Sequence, residues 1–225
     1  MGLDITFNCG DRSLGGYLAL PDKKEGPGLI LLQEWWGINT HIKDLVDRFA
    51  SAGFVTLAPD LFHGEVATTP DAAERAMMQL NISATAKELE CAVTYLKEQK
   101  VLKPQKIAVM GFCMGGQLAL FTASISKDID ACIDFYGIHP NVKPDFHNIS
   151  CPVLGIFGGL DTMVTPSVVQ ELETTLDDHK ISHTFITYEK AGHAFFNDGR
   201  KEVYNKAAAE DAYQQVLTFL KRTIT

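Results

Sequence analysis

The sequence lacks any long apolar run. Its longest uninterrupted apolar stretches, residues 28–32 and 107–110, are far shorter than the ~20 residues that a membrane helix needs. The first residues do not combine a basic segment with an apolar one, as a signal peptide would. We therefore expect no membrane segment, no signal peptide and a cytoplasmic protein.

Basic residues are also scarce. Twenty Lys and Arg stand against 28 Asp and Glu, which gives a net charge of −8, and the basic residues are scattered. Proteins that bind nucleic acids need a basic face for the phosphate backbone. This composition therefore predicts no nucleic-acid partner.

The five cysteines contain no closely spaced pair of the kind that binds zinc. Their odd number and the missing signal peptide predict free thiols in a reducing compartment. Cys113 has a distinctive setting, described below. The remaining four are expected to be small core side chains: Cys9, Cys91, Cys132 and Cys151.

What is present is typical of a globular protein. Hydrophobic residues make up 46% and charged residues 21% of the 225 positions. This length predicts a single domain over residues 1–225, with a core that needs no disulfide or metal. Monomer and homodimer both remain open, with the monomer as the default.

Short apolar runs alternate with longer segments of helical periodicity. A hairpin is expected over residues 3–21. Buried strands are then predicted at 28–33, 54–58, 106–111, 131–136, 152–157 and 184–188, and helices at 41–52, 70–99 with a break near 81–83, 114–123, 166–178 and 201–222. The pattern predicts an α/β fold with a mostly parallel central sheet and helices on both faces. Sites in such folds lie at the carboxyl ends of the strands.

One strand runs into Gly111-Phe112-Cys113-Met114-Gly115, where a helix begins. This is G-x-C-x-G, the cysteine form of the nucleophile elbow of α/β-hydrolases. The helix N-terminus favours a thiolate, and the N–H of Met114 is free to stabilise an oxyanion. The alternative is a glycine-rich turn that contains a buried cysteine.

Asp161 and His193 follow later strands, in the order nucleophile, acid, histidine that this fold uses. His193 would remove the thiol proton, and Asp161 would orient its ring and stabilise the imidazolium. Taken singly, each could be a turn aspartate or a surface histidine. The other histidines are predicted to be surface or loop residues: His41, His63, His139, His147, His179 and His183.

The strand at residues 28–33 leads into Glu34-Trp35-Trp36. The loop at this position supplies the second oxyanion donor in α/β-hydrolases, here the backbone N–H of Trp35. A carboxylate at the end of a buried strand is costly without a partner, which favours a functional Glu34. An aromatic core pair beside a solvated glutamate is the alternative.

Together these segments resemble the dienelactone hydrolase family. The resemblance also rests on residues 58–62, 135–137, 158–161 and 191–195, and it covers nearly the whole chain. It implies Cys113, Asp161 and His193 as the triad, oxyanion donors from the backbone of Met114 and Trp35, and Tyr136 near the site. It also implies that Glu34 pairs with the resting thiol until a substrate carboxylate displaces it and it takes the thiol proton.

The chain departs from that family at one position. Members that open dienelactones bind the substrate carboxylate with two arginines, one of them four residues after the catalytic histidine. Asn197 occupies that place here, with Arg200 nearby. Arg75 is the candidate for the other arginine, and a solvated helix residue is the alternative.

The sequence thus predicts hydrolysis of a small ester or lactone through an acyl-cysteine, with no metal and no organic cofactor. Trp36, Tyr136 and Phe195 are predicted to line a partly apolar pocket. The alternative is a redox-sensing or ligand-binding protein of the same fold with little turnover.

Overall fold

A single eight-stranded sheet organises residues 1–225, all of which the computed structural model describes. Its strands are β1 (Leu3–Cys9), β2 (Arg12–Ala19), β3 (Gly26–Leu32), β4 (Val55–Pro59), β5 (Leu102–Phe112), β6 (Ala131–Phe135), β7 (Val153–Gly158) and β8 (His183–Tyr188). The helices are α1 (Thr40–Ser51), α2 (Pro70–Gln79), α3 (Ile82–Lys97), α4 (Met114–Ile125), α5 (Pro166–Asp178) and α6 (Lys206–Ile224). No helix is long and apolar enough to cross a membrane.

The strand order is β1-β2-β4-β3-β5-β6-β7-β8. The β1–β2 hairpin and the β2–β4 pair are antiparallel, and all other neighbours are parallel. Every residue of β3, β4, β6 and β7 is buried, because helices cover both faces of the parallel part. The predicted hairpin and the mostly parallel sheet are confirmed.

The two faces of the sheet carry separate hydrophobic cores. Alternate residues of β3 point to opposite faces, so Leu29 and Leu31 join one core while Ile30 and Leu32 join the other. Helices α1 and α6 cover the first face, and α3 and α4 cover the second. This arrangement explains why strand segments of the sequence are apolar without alternation.

Asparagine side chains set several helix starts. Asn39 accepts a hydrogen bond from the N–H of Ile42, and Asn81 accepts one from Ala84, which separates α3 from α2. Asn205 caps α6 in the same way through Ala208. The predicted start of the last helix at residue 201 is therefore wrong, since the cap places it at Lys206.

The prediction of five free thiols is wrong for one pair. Cys9 at the end of β1 and Cys91 in α3 form a disulfide, with 82 residues of sequence separation and Cα atoms 5.4 Å apart. The packing of α3 on β1 brings the two cysteines together, which residue spacing does not reveal. Cys113, Cys132 and Cys151 are free and buried, and for Cys132 and Cys151 this agrees with the expected core thiols.

Strand β1 forms one edge of the sheet and is mostly exposed. Phe7 is its only buried side chain, and its ring stacks on Tyr95 of α3 with a centroid distance of 4.9 Å. The disulfide and this aromatic pair therefore attach the edge strand to the helix beneath it.

Candidate active site

Four predicted residues lie in the loops that follow β3, β5, β7 and β8. These are Glu34, Cys113, Asp161 and His193. All four strands run parallel, so their carboxyl ends share one edge of the sheet. The fold thus brings the predicted site residues to one place.

Cys113 occupies a strained backbone position between β5 and α4. Its φ is +55° and its ψ is −117°, a combination that a residue with a side chain rarely adopts. Neighbouring strand ends hold it there. The N–H of Cys113 donates to the carbonyl of Phe135 at 3.0 Å, and its carbonyl accepts from Ile138 at 3.1 Å.

The elbow requires its glycines because its backbone passes very close to other backbone atoms. A β-carbon at Gly115 would lie 2.5 Å from the carbonyl oxygens of Leu32 and Gln33, and one at Gly111 would overlap the backbone of Gly115. Only hydrogen fits at either position. The G-x-C-x-G spacing is thus a steric requirement of this turn.

His193 forms a hydrogen-bonded pair with the buried Asp161. The imidazole Nδ1 lies 2.7 Å from Oδ2 of Asp161, whose side chain is fully buried. The other oxygen, Oδ1, accepts hydrogen bonds from the N–H groups of Met163 and Val164, at 2.7 and 2.9 Å. The ring is therefore fixed, and its buried Nε2 has no hydrogen-bond partner in the protein.

Glu34 is buried, with a relative exposure of 2%. Its Oε2 accepts a 2.7 Å hydrogen bond from the side-chain amide of Asn197. Burial raises the pKa of Glu34, and the charge of His41 is the largest influence opposing that rise. Burial also raises the pKa of the Cys113 thiol, and the negative charge of Glu34 raises it further. The resting thiol is therefore protonated at neutral pH.

Tyr136 lies directly after β6 with a positive φ of 41°. It is fully buried, its ring centroid lies 5.0 Å from that of His193, and its hydroxyl has no hydrogen-bond partner. Burial raises the pKa of this hydroxyl, and the charges of Glu34 and Cys113 add to the rise. The hydroxyl is therefore neutral, and the ring that carries it lies next to that of His193.

A polar cavity of about 390 Å³ opens beside Glu34 and Asn197. Its lining includes Trp36, His41, Asn197 and Arg200. The guanidinium of Arg200 lies 5.4 Å from the ring centroid of Trp36, and its positive charge lowers the pKa of both Glu34 and Cys113. Arg200 thus belongs to the electrostatic surroundings of the site.

Two other residues predicted to bind substrate lie in different settings. Arg75 is exposed on α2 and forms no salt bridge. Phe195 is fully buried and packs between Tyr136 and Tyr188, at centroid distances of 5.6 and 5.3 Å. A larger cavity, about 710 Å³, lies along β1 and α3 and is lined by none of the candidate site residues.

Two histidines expected at the surface are buried. His41 pairs with Asp198, and His139 bonds the carbonyl of Met77 and the N–H of Asn141. For these two, the surface prediction is wrong, because the loop after β8 brings Asp198 against His41 on α1, and the loop after β6 packs His139 against Met77 of α2. The position of His41 at the start of a helix that follows a site loop could have indicated its place.

A buried carboxyl that the sequence analysis did not single out lies beneath the elbow. Asp134 on β6 has a relative exposure of 1%, and neither of its oxygens makes a hydrogen bond. It packs against Gly116 and Gly137, where a β-carbon would overlap its Oδ1. Burial raises the pKa of Asp134 to about 7, although the backbone of Gly137 partly opposes this.

Residues 14–224 match the dienelactone hydrolase family. The chain belongs to this family. It is 34% identical over 232 residues to Protein usf of Aquifex pyrophilus, across the full length of both chains. It is 30% identical over 228 residues to an Aquifex aeolicus (strain VF5) protein that carries a carboxymethylenebutenolidase name, covering 98% of each.

Solved structures agree on the fold of this dienelactone hydrolase family member. A dienelactone hydrolase-like promiscuous phosphotriesterase from metagenomic libraries superimposes with a TM-score of 0.89 at 20% identity, covering 100% of this chain and 99% of that one. The α/β-hydrolase fold predicted from the sequence is confirmed. Family membership makes the chain an ester or lactone hydrolase, with small-molecule substrates.

Proposed function

We propose that the chain hydrolyses a small carboxylic ester or lactone through an acyl-cysteine, with Cys113, His193 and Asp161 as a catalytic triad. The observation that carries this proposal is the strained elbow cysteine at the same edge of the sheet as a histidine that an aspartate fixes through a 2.7 Å contact. The unpaired, buried Nε2 of that histidine is the atom that a triad leaves free for proton transfer.

The thiol requires activation, because its pKa is raised in the resting site. Either of two neighbours can take its proton: Nε2 of His193 or the carboxylate of Glu34. Glu34 is suited to this task, since burial already raises its pKa toward that of a useful base. The resulting thiolate attacks the carbonyl carbon and forms the carbon–sulfur bond of a tetrahedral intermediate.

Two backbone N–H groups would stabilise the negative oxygen of this intermediate: those of Met114 and Trp35. Met114 is the first residue of α4, and its N–H has no partner within the helix. As the intermediate collapses, the carbon–oxygen bond breaks. The proton taken from the thiol then reaches the leaving alkoxide from Nε2 of His193, either directly or after His193 has received it from Glu34. Water then attacks the thioester with His193 as base, which releases the acid and restores the thiol.

The substrate would lie between the thiol and the polar cavity. Tyr136 offers a neutral hydroxyl donor, and Trp36 offers an apolar surface beside Arg200. A substrate carboxylate would bind Arg200, whose charge already acts on Cys113. Phe195 would support Tyr136 from behind. Arg75 stays a prediction as a second anion-binding residue.

The burial of Cys113 also weighs against the redox-sensing alternative. A peroxide sensor needs an accessible thiol of low pKa, whereas Cys113 is 5% exposed and its pKa is raised. Deprotonation of the thiol after substrate binding agrees better with the burial of Cys113 and with its raised pKa. Hydrolysis is therefore the better supported function.

The test is turnover of p-nitrophenyl acetate, followed by absorbance and by mass spectrometry of the quenched protein. We expect wild type to gain one acetyl group on Cys113 during turnover, and Cys113→Ala to lose both the label and the rate. Cys151→Ala is the matched control, because Cys151 is another buried free thiol. Turnover that persists in Cys113→Ala, or a label on another residue, would refute the proposed nucleophile.

A further inference from the structure

A second histidine–aspartate pair lies beside the candidate active site. Nδ1 of His41 is 3.0 Å from Oδ1 of Asp198, and the His41 side chain is only 6% exposed. His41 belongs to the first turn of α1, while Asp198 belongs to the loop after β8. The pair therefore joins the two loops that carry Glu34 and His193.

The orientation of His41 is fixed from its far side. Oδ2 of Asp198 accepts a hydrogen bond from Nη1 of Arg48 at 3.2 Å, and Arg48 lies about two turns further along α1 than His41. An aspartate held by an arginine in this way accepts the hydrogen bond from Nδ1, and Nε2 of the ring stays available to other partners. Since His41 also lines the polar cavity beside Asn197 and Arg200, the cavity gives water access to the ring.

Two independent features connect this pair to Glu34. The charge of His41 is the largest influence favouring the ionised form of Glu34. Asp198 is also the direct neighbour of Asn197, whose amide donates to Glu34 at 2.7 Å. Fixing Asp198 therefore fixes the donor that holds the Glu34 carboxylate.

We propose that His41, held by Asp198, is a positioning residue that keeps Glu34 charged and in place next to the thiol. This inference rests on the proposed function, because Glu34 matters only if Cys113 needs arming. It also accounts for the neutral Asn197. Because the direct partner of Glu34 is an uncharged amide, the positive charge that favours the carboxylate comes from His41.

The sign of the expected pH effect follows from the groups around Glu34. Cys113 and Tyr136 disfavour its charge when ionised, while His193, His41 and Arg200 favour it. Removing His41 takes away the largest favourable charge, so the pKa of Glu34 rises further. The limb of the rate profile that depends on ionised Glu34 must then move to higher pH.

The experiment compares wild type with His41→Gln and Asp198→Asn across pH, measuring kcat and KM for p-nitrophenyl acetate. It also measures the rate at which iodoacetamide alkylates Cys113. We expect the rising limb of kcat to move up by about one pH unit in His41→Gln, as for a carboxyl that loses a nearby cation. KM should change less than about twofold, since the pair is assigned to Glu34 and to no substrate contact.

The matched control is His183→Gln, because His183 is another histidine near an aspartate, 3.9 Å from Asp177, and lies at the start of β8 away from the site. Its profile should equal that of wild type. Glu34→Gln identifies the step in the alkylation profile that belongs to Glu34.

A limb that stays in place while the rate falls equally at every pH indicates a purely structural role and overturns the proposal. If His41→Gln fails to fold, as thermal unfolding would reveal, the profile of Asp198→Asn decides in the same way. If wild type turns over no ester, the proposed function fails. The role of His41 can then still be judged from the Glu34 step in the pH profile of alkylation. A moved step supports His41 in this role, and an unmoved step refutes it.

Discussion

The disulfide between Cys9 and Cys91 should contribute a large share of the stability of this chain. It closes a loop of 82 residues. In the chain-entropy treatment, a loop of that length restricts the unfolded chain by about 4.5 kcal/mol at 25 °C. Replacing both cysteines by serine should therefore lower the free energy of unfolding by about 3–4.5 kcal/mol. For a chain of this size, that lowers the melting temperature by roughly 6–18 °C.

Urea unfolding of oxidised wild type, of reduced wild type and of the Cys9→Ser/Cys91→Ser variant measures this effect. Reduction should lower the stability of wild type to about that of the variant, whereas reductant should leave the variant unchanged. Ester turnover at 25 °C should persist in all three samples, because neither cysteine contacts a residue of the candidate site. A loss below about 1 kcal/mol, or equal sensitivity of the variant to reductant, would refute the reasoning.

Four further changes test the site and its support. Asp161→Asn should lower kcat about 10⁴-fold with little change in the fold, because the ring of His193 loses the acceptor that sets its tautomer; single-turnover kinetics measure it. Gly115→Ala should cost about 2–3 kcal/mol or more in urea unfolding, because its β-carbon would meet two carbonyl oxygens at 2.5 Å. Arg200→Gln should raise KM about tenfold for an ester that carries a carboxylate and leave KM for its uncharged analogue unchanged, in steady-state kinetics. Asp134 has a folded-state pKa raised to about 7, so its contribution to stability is fully present below about pH 4 and is lost as pH rises through 7. Asp134→Asn should remove that part of the decline between about pH 4 and pH 7, and an unchanged decline would contradict it.

The sequence was sufficient for features that depend on local sterics and chain order. The glycines around Cys113 mark a turn where only hydrogen fits, and this holds whatever the rest of the fold does. Asp161 and His193 could be paired because parallel strands deliver their following loops to one edge. Both arguments need only strand positions, which the apolar runs reveal.

Features that depend on packing between distant segments could not be predicted in this way. The partner of Cys9 is set by how α3 lies on β1, and no spacing rule links residues 82 apart. His41 is buried because the loop after β8 folds onto α1 and brings Asp198 to it. From the sequence, Asn197 is only the residue that replaces the family's arginine four positions after the catalytic histidine. In the structure, Asn197 is the hydrogen-bond partner of Glu34.

Strand β1 has a consequence for how copies of this chain behave in solution. It lies outside the matched residues 14–224, yet it pairs with β2 along its whole length and separates that strand from solvent. A chain without residues 1–10 would present the unpaired backbone of β2, with apolar Leu14 and Tyr17 beside it, as a template for strands of other molecules. Strand β1 thus covers the backbone and the apolar side chains of β2, and the disulfide holds it there when the sheet edge fluctuates.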